Sequence, residues 1–179
     1  MAGHQRVHAQ GADAILAGWR DGYGDTLLHP DETGPYRTGD EAAQELFKAL
    51  MSGLQVTSET RIGRPMGTFD RPRPNRAEAR RSGRSLRHVT LSLTALKDLG
   101  LSLAQGDAAL RETLTQAFDH SLSRAVGLED PVFATTADVQ GRFRIEVLQQ
   151  SINQIRDLAT QSLGPKLGVA AGFNALDGD

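Results

Sequence analysis

The sequence predicts an all-α fold, an antiparallel four- to five-helix bundle, and three observations carry that expectation. Apolar residues recur at steps of three and four through five stretches. No run alternates apolar and polar residues as a half-buried strand would. A composition of 39% hydrophobic and only 5% aromatic residues, rich in Ala, Leu and Gln, favours helix over sheet. With 179 residues the chain can bury one core without cross-links, so a single bundle domain over 1–179 is expected. The absence of cysteine excludes disulfides, thiolate zinc sites and cysteine nucleophiles.

The first helix is expected at about 5–27, where Ile15, Leu16, Trp19, Tyr23 and Leu27 share a face despite four interspersed glycines. A Pro-, Gly- and Asp-rich loop over 29–40 ends in Asp40, a suitable N-cap. The second helix, about 41–60, carries the clearest stripe: Ala43, Leu46, Phe47, Leu50, Leu54 and Thr57. Pro65, Pro72 and Pro74 then predict an extended linker. The third helix is expected at about 76–103, opened by a capping box from Asn75 to Glu78 and striped by Leu86, Val89, Leu93 and Leu96. Asp107 caps a fourth over 107–125, with Leu110, Leu114, Phe118, Leu122 and Ala125. A fifth, 138–163, supplies Phe143, Val147, Leu148, Ile152, Ile155 and Leu163 and stops at Gly164-Pro165. The tail, 164–179, is apolar and then acidic.

Charge is distributed unevenly. Residues 71–88 hold seven arginines (71, 73, 76, 80, 81, 84 and 87) against one acid, Glu78, a net of +6, and the rest of the chain sums to −8. A solvated helix face paired with acids elsewhere would account for this. On a helix through 76–103, Arg80, Arg84 and Arg87 fall opposite the apolar stripe, Arg81 and Ser85 flank it, and Ser82 points into it.

Two phrases, "RSGRSL" at 81–86 and "LGVAAGFNALDGD" at 167–179, resemble the C-terminal half of imelysin-like proteins, also called the peptidase M75-like or iron-regulated protein A family. "GWRDGY", "AAQELFKALMSGL", "RIGRPMG" and "EARRSGRSL" extend the resemblance from about residue 10 to the end. The resemblance implies a helical protein of the bacterial periplasm or cell envelope, associated with iron supply and built from two facing four-helix halves. It further implies that iron or another divalent metal is bound by a GxHxxE motif in the first half. That motif does not stand here, since Val7 occupies the place of the acid after His4. This chain alone is therefore expected to bind no cofactor, to catalyse nothing in isolation, and to have the N-terminal half or another helical partner as its complement.

From the residues themselves, metal candidates are His4 and His8 at i, i+4 spacing and the tail acids Asp177 and Asp179. The His-x-x-Glu at His29 and Glu32 is interrupted by Pro30. No nucleophile with a base, HExxH or Walker loop is present. A polar seam is expected in which Arg81, Ser82, Arg84 and Ser85 meet Asn174, Asp177 and Asp179 through charge-assisted bonds. Two other classes fit the same features: a structural, partner-binding helical module, and an arginine-mediated nucleic-acid binder. Against the second stand a pI of about 6.2 and the lack of an aromatic residue within 71–88, so no nucleic-acid partner is expected. No stretch has the length and hydropathy of a transmembrane helix or signal peptide.

Overall fold

The computed structural model describes residues 10, 11 and 13–169, and among them helices are joined by turns with no strand beyond one isolated bridge, Thr68 to Arg71. The chain divides into two compact units, Met1–Glu45 and Leu46–Asp179.

In the first unit, helix α1 covers 13–28 and contains a π turn, Trp19–Tyr23, in which the Gly24 amide donates to the Trp19 carbonyl. A Cβ on Gly24 would lie 2.6 Å from that carbonyl oxygen, so glycine permits the wide turn here. Ile15, Leu16, Trp19 and Tyr23 of the expected stripe are exposed. Tyr23 instead meets Tyr36 hydroxyl to hydroxyl at 2.6 Å, and this bond raises the Tyr36 pKa to about 12. The loop that follows is folded by Asp31, whose carboxylate accepts from the Thr33 hydroxyl and the Thr33 and Gly34 amides.

Helix α2 covers 39–66 as three joined segments: α-helix Gly39–Gln55, a π segment Val56–Ile62, and a last α turn Gly63–Met66. It thus runs past the expected end at 60. The stop comes from Gly67 at φ 56°, ψ −146°, whose amide closes on the Gly63 carbonyl at 3.0 Å. Helix α3 spans Ser85–Leu103, α4 spans Ala108–Gly127, and α5 covers 139–163, an α segment Val139–Leu158 with a π turn Ala159–Leu163. Asp107 and Asp138 cap α4 and α5 by accepting from the Leu110 amide at 2.9 Å and the Gly141 amide at 2.7 Å.

In the second unit the helices form an antiparallel ring, α2 to α3 to α4 to α5 and back to α2. A Cβ on Gly53 would meet Leu96, and Arg61 donates to Ser92, so α2 and α3 run oppositely. Lys97 pairs with Asp119 across α3 and α4, and Ser58 donates to Asn153 across α2 and α5. Lys166, just past α5, pairs with Asp107 at the start of α4. The enclosed core joins Phe47, Leu50 and Leu54 to Val89, Leu93, Leu114, Phe118, Ile145, Leu148, Ile152 and Ile155, all buried. Each such side chain contributes roughly 1.5–3 kcal/mol of burial free energy.

The third expected helix is the main correction. No helix runs from Asn75: Pro74–Arg76 and Arg80–Ser82 are single 3₁₀ turns, Ala77 is extended, and α3 begins only at Ser85. Glu78 does not close a capping box, because its carboxylate is drawn to Arg61 at 2.8 Å and His88 at 3.4 Å. A smaller correction concerns Phe143, which is 64% exposed, its expected place in the core being taken by Ile145.

Candidate functional site

Because 71–84 is loop with two 3₁₀ turns, its six arginines do not lie on a helix wheel, and Arg87 alone of the block stands on α3. Ala79 at φ 52° and Gly83 at φ 67° bracket the Arg80–Ser82 turn, and the Ser82 and Arg84 amides both donate to the Ala79 carbonyl. The compact knuckle that results pushes Arg81, Ser82 and Arg84 into solvent and leaves Ser85 buried at the start of α3. Ser82 does not enter an apolar stripe; its hydroxyl donates to the Ala79 carbonyl at 2.9 Å. The Ser85 hydroxyl makes no hydrogen bond among the described residues.

Between this knuckle and the 129–137 loop lies an open cleft of about 750 Å³ lined by Asn75, Ala79, Arg80, Arg81, Ser82 and Val132. Arg80 crosses it, its Nη1 making long bonds to the carbonyls of Pro74 at 3.5 Å and Val132 at 3.4 Å. The Leu86 amide, in the first turn of α3, donates to the Pro131 carbonyl at 3.0 Å and fixes the second wall.

That wall is held from within by Asp130, only 5% exposed. Its carboxylate accepts from the Thr135 hydroxyl at 2.7 Å and from the amides of Ala134 and Thr135, both at 2.8 Å. Burial acts to raise the Asp130 pKa, but the Thr135 bonds and the Ala134 and Val132 amides outweigh it and hold the group below the ordinary carboxylate range. Such a caged charge forces the backbone round it, and Glu129 and Phe133 both take positive φ, 51° and 54°. With Ala79, they are the non-glycine residues of positive φ among the described residues, and all three stand in the two loops that wall the cleft. At Gly141 a Cβ would lie 2.3 Å from Thr135, so the start of α5 packs directly on the same loop.

Within the described residues the acid inside the arginine block, Glu78, pairs with Arg61 and His88 and not with the block's arginines. None of the block's seven guanidinium groups forms an ion pair there. Glu78, the block's single acid, is lowered in pKa first by its hydrogen bond from Arg61, with His88 adding to the effect. The expectation that acids elsewhere pair with the block therefore fails for the described part of the chain.

Of the expected seam, Arg81, Ser82 and Arg84 come together on the knuckle with Ser85 behind them, while Asn174, Asp177 and Asp179 lie outside the described residues. The metal candidates His4, His8, Asp177 and Asp179 also lie outside them. Among the described residues no three His, Asp or Glu side chains gather as a metal would require. His29 faces Asp25 at 3.7 Å, and Glu32 is exposed on the loop beyond. Sequence reasoning missed Asp130. Its signal was local: an Asp-Pro step followed within five residues by two threonines, the donor set of a side-chain-capped loop.

Chemically the cleft can bind and orient a ligand; among its lining residues there is neither a carboxylate nor an imidazole to move a proton. No helix among the described residues is long and apolar enough to cross a membrane. Compared with known proteins, residues 6–159 match the family model described as Imelysin, peptidase M75. No curated protein and no solved structure matches the chain.

Proposed function

The chain belongs to the imelysin family, and from that premise we propose that it is a non-catalytic half of a cell-envelope protein that takes part in iron acquisition. The observation that carries this reading is the family match over most of the chain, joined to a helical ring that bears an arginine-lined cleft among the described residues. Iron is the cargo here. The described residues do not gather a ligand set for it, so ligation falls to a partner half bearing the GxHxxE motif absent from this chain. The periplasm or outer envelope surface is the proposed location.

Two measurements test the reading. Titration of the isolated chain with ferrous and ferric iron is expected to give no saturable binding in the millimolar range, and addition of the partner half is expected to restore it. Deletion of the gene is expected to slow growth in chelator-treated medium, with recovery on added iron. A deletion strain that grows normally without iron would overturn the role in acquisition. Tight binding by the isolated chain would overturn the division of labour between halves.

A further inference from the structure

The cleft between the 79–84 knuckle and the 129–137 loop is unusual in offering donors with no acceptor charge to satisfy them. Arg81 is exposed and makes no hydrogen bond or ion pair among the described residues. Arg80 is half-buried and uses only Nη1, on two carbonyls near the outer limit of hydrogen bonding. Its Nε and Nη2 have no partner among the described residues. Asn75 adds an amide at the rim. The nearest acid in sequence, Glu78, is turned away to Arg61 and His88.

We infer that this cleft binds a small oxyanion carrying two or more negative charges, a polycarboxylate or a phosphate compound, gripped by Arg80 and Arg81. A planar guanidinium meets carboxylate or phosphate oxygens through two parallel bonds, which a partly buried fork with idle donors is suited to accept. The volume, about 750 Å³, is that of a small-molecule site. Both walls are pre-shaped, one by the Ala79 and Gly83 turns and the other by the Asp130 cage, so little ordering is left for the ligand to impose. A free cation is disfavoured by the same charges. A long polyanion is disfavoured too, since no aromatic side chain lines the cleft for stacking and the chain outside the block carries −8.

Calorimetry of the full chain with metal-free citrate and with inorganic phosphate tests this inference without reference to iron, so its outcome and that of the iron reading are separable. Saturable binding at a single site is expected, with whichever of the two probes binds tighter identifying carboxylate or phosphate as the ligand group. Arg81→Gln and Arg80→Gln are each expected to weaken it by about tenfold or more. Arg80→Lys should fall between, since charge remains and the planar fork is lost. Arg144→Gln removes the same charge from outside the cleft and should leave binding unchanged. Should Arg80→Gln unsettle the loop, Arg81→Gln carries the test, because Arg81 is exposed and unbonded. Absence of saturable binding to both probes, equal weakening by Arg144→Gln, or tighter binding of a single-stranded oligonucleotide at the same arginines would overturn the inference.

Discussion

Asp130 is a buried carboxylate that stays ionised because its oxygens receive the Thr135 hydroxyl and the backbone amides that follow it. Those amides would otherwise be unpaired where the loop turns back, so the charge and the loop conformation depend on each other. Asp130→Ala is expected to cost about 3 kcal/mol, read as a lower midpoint in urea unfolding. The pH dependence follows from the direction of the shift. Its folded pKa lies below the ordinary carboxylate value of 3.8, so the unfolded chain binds the proton more readily. The stabilisation is fully present above about pH 4 and is lost as the pH falls through the folded value. A pH series of urea midpoints should thus show a drop at the acid end that is smaller in Asp130→Ala.

At the scale of elements, the ends of α2 and α5 are fastened by one buried side chain. Arg142, 9% exposed, donates to the carbonyls of Met66 at 2.8 Å and Thr68 at 3.2 Å and pairs with Glu146 at 2.7 Å. This works only because the chain reverses sharply at Gly67, in a region of φ, ψ space that side chains avoid. There a Cβ would lie 2.4 Å from the Arg71 carbonyl oxygen. Gly67→Ala is expected to destabilise the second unit by roughly 2–4 kcal/mol, seen in thermal or denaturant unfolding. Arg71 and Arg73 sit just beyond this turn, so the reversal also sets the path of the arginine-bearing loop.

Across the molecule, a +6 block faces a remainder of −8, yet within the described residues the two are not joined by ion pairs to the block's arginines. Unmatched guanidinium groups crowded on the 71–84 segment and the first turn of α3 repel one another, and multivalent anions relieve that repulsion best. At matched ionic strength, phosphate is expected to raise the thermal midpoint more than chloride, measured by circular dichroism or calorimetry. The difference should shrink in the Arg80→Gln, Arg81→Gln double variant to the part that general exclusion of phosphate from the surface supplies. A gap between the two salts that is undiminished in that variant would place the effect elsewhere on the surface.

The all-α class, the cap at Asp107, and most of the core were legible in the sequence. Helical period and capping chemistry are local properties, and Leu50, Leu54, Leu93, Phe118, Ile152 and Ile155 announce their burial by spacing alone. The arginine segment was not legible in the same way. Its spacing and an apparent capping box read as helix, but Glu78 is worth more to Arg61 and His88 from other elements than to the amides of its own turn. Likewise the positive φ of Ala79, Glu129 and Phe133 is strain that each residue would avoid alone, and it persists because Asp130 and the packed loops impose it. Local periodicity therefore fixed the rods. Pairing between residues distant in the chain decided where the chain leaves the helix and opens the cleft, because those interactions exist only once the rods have packed.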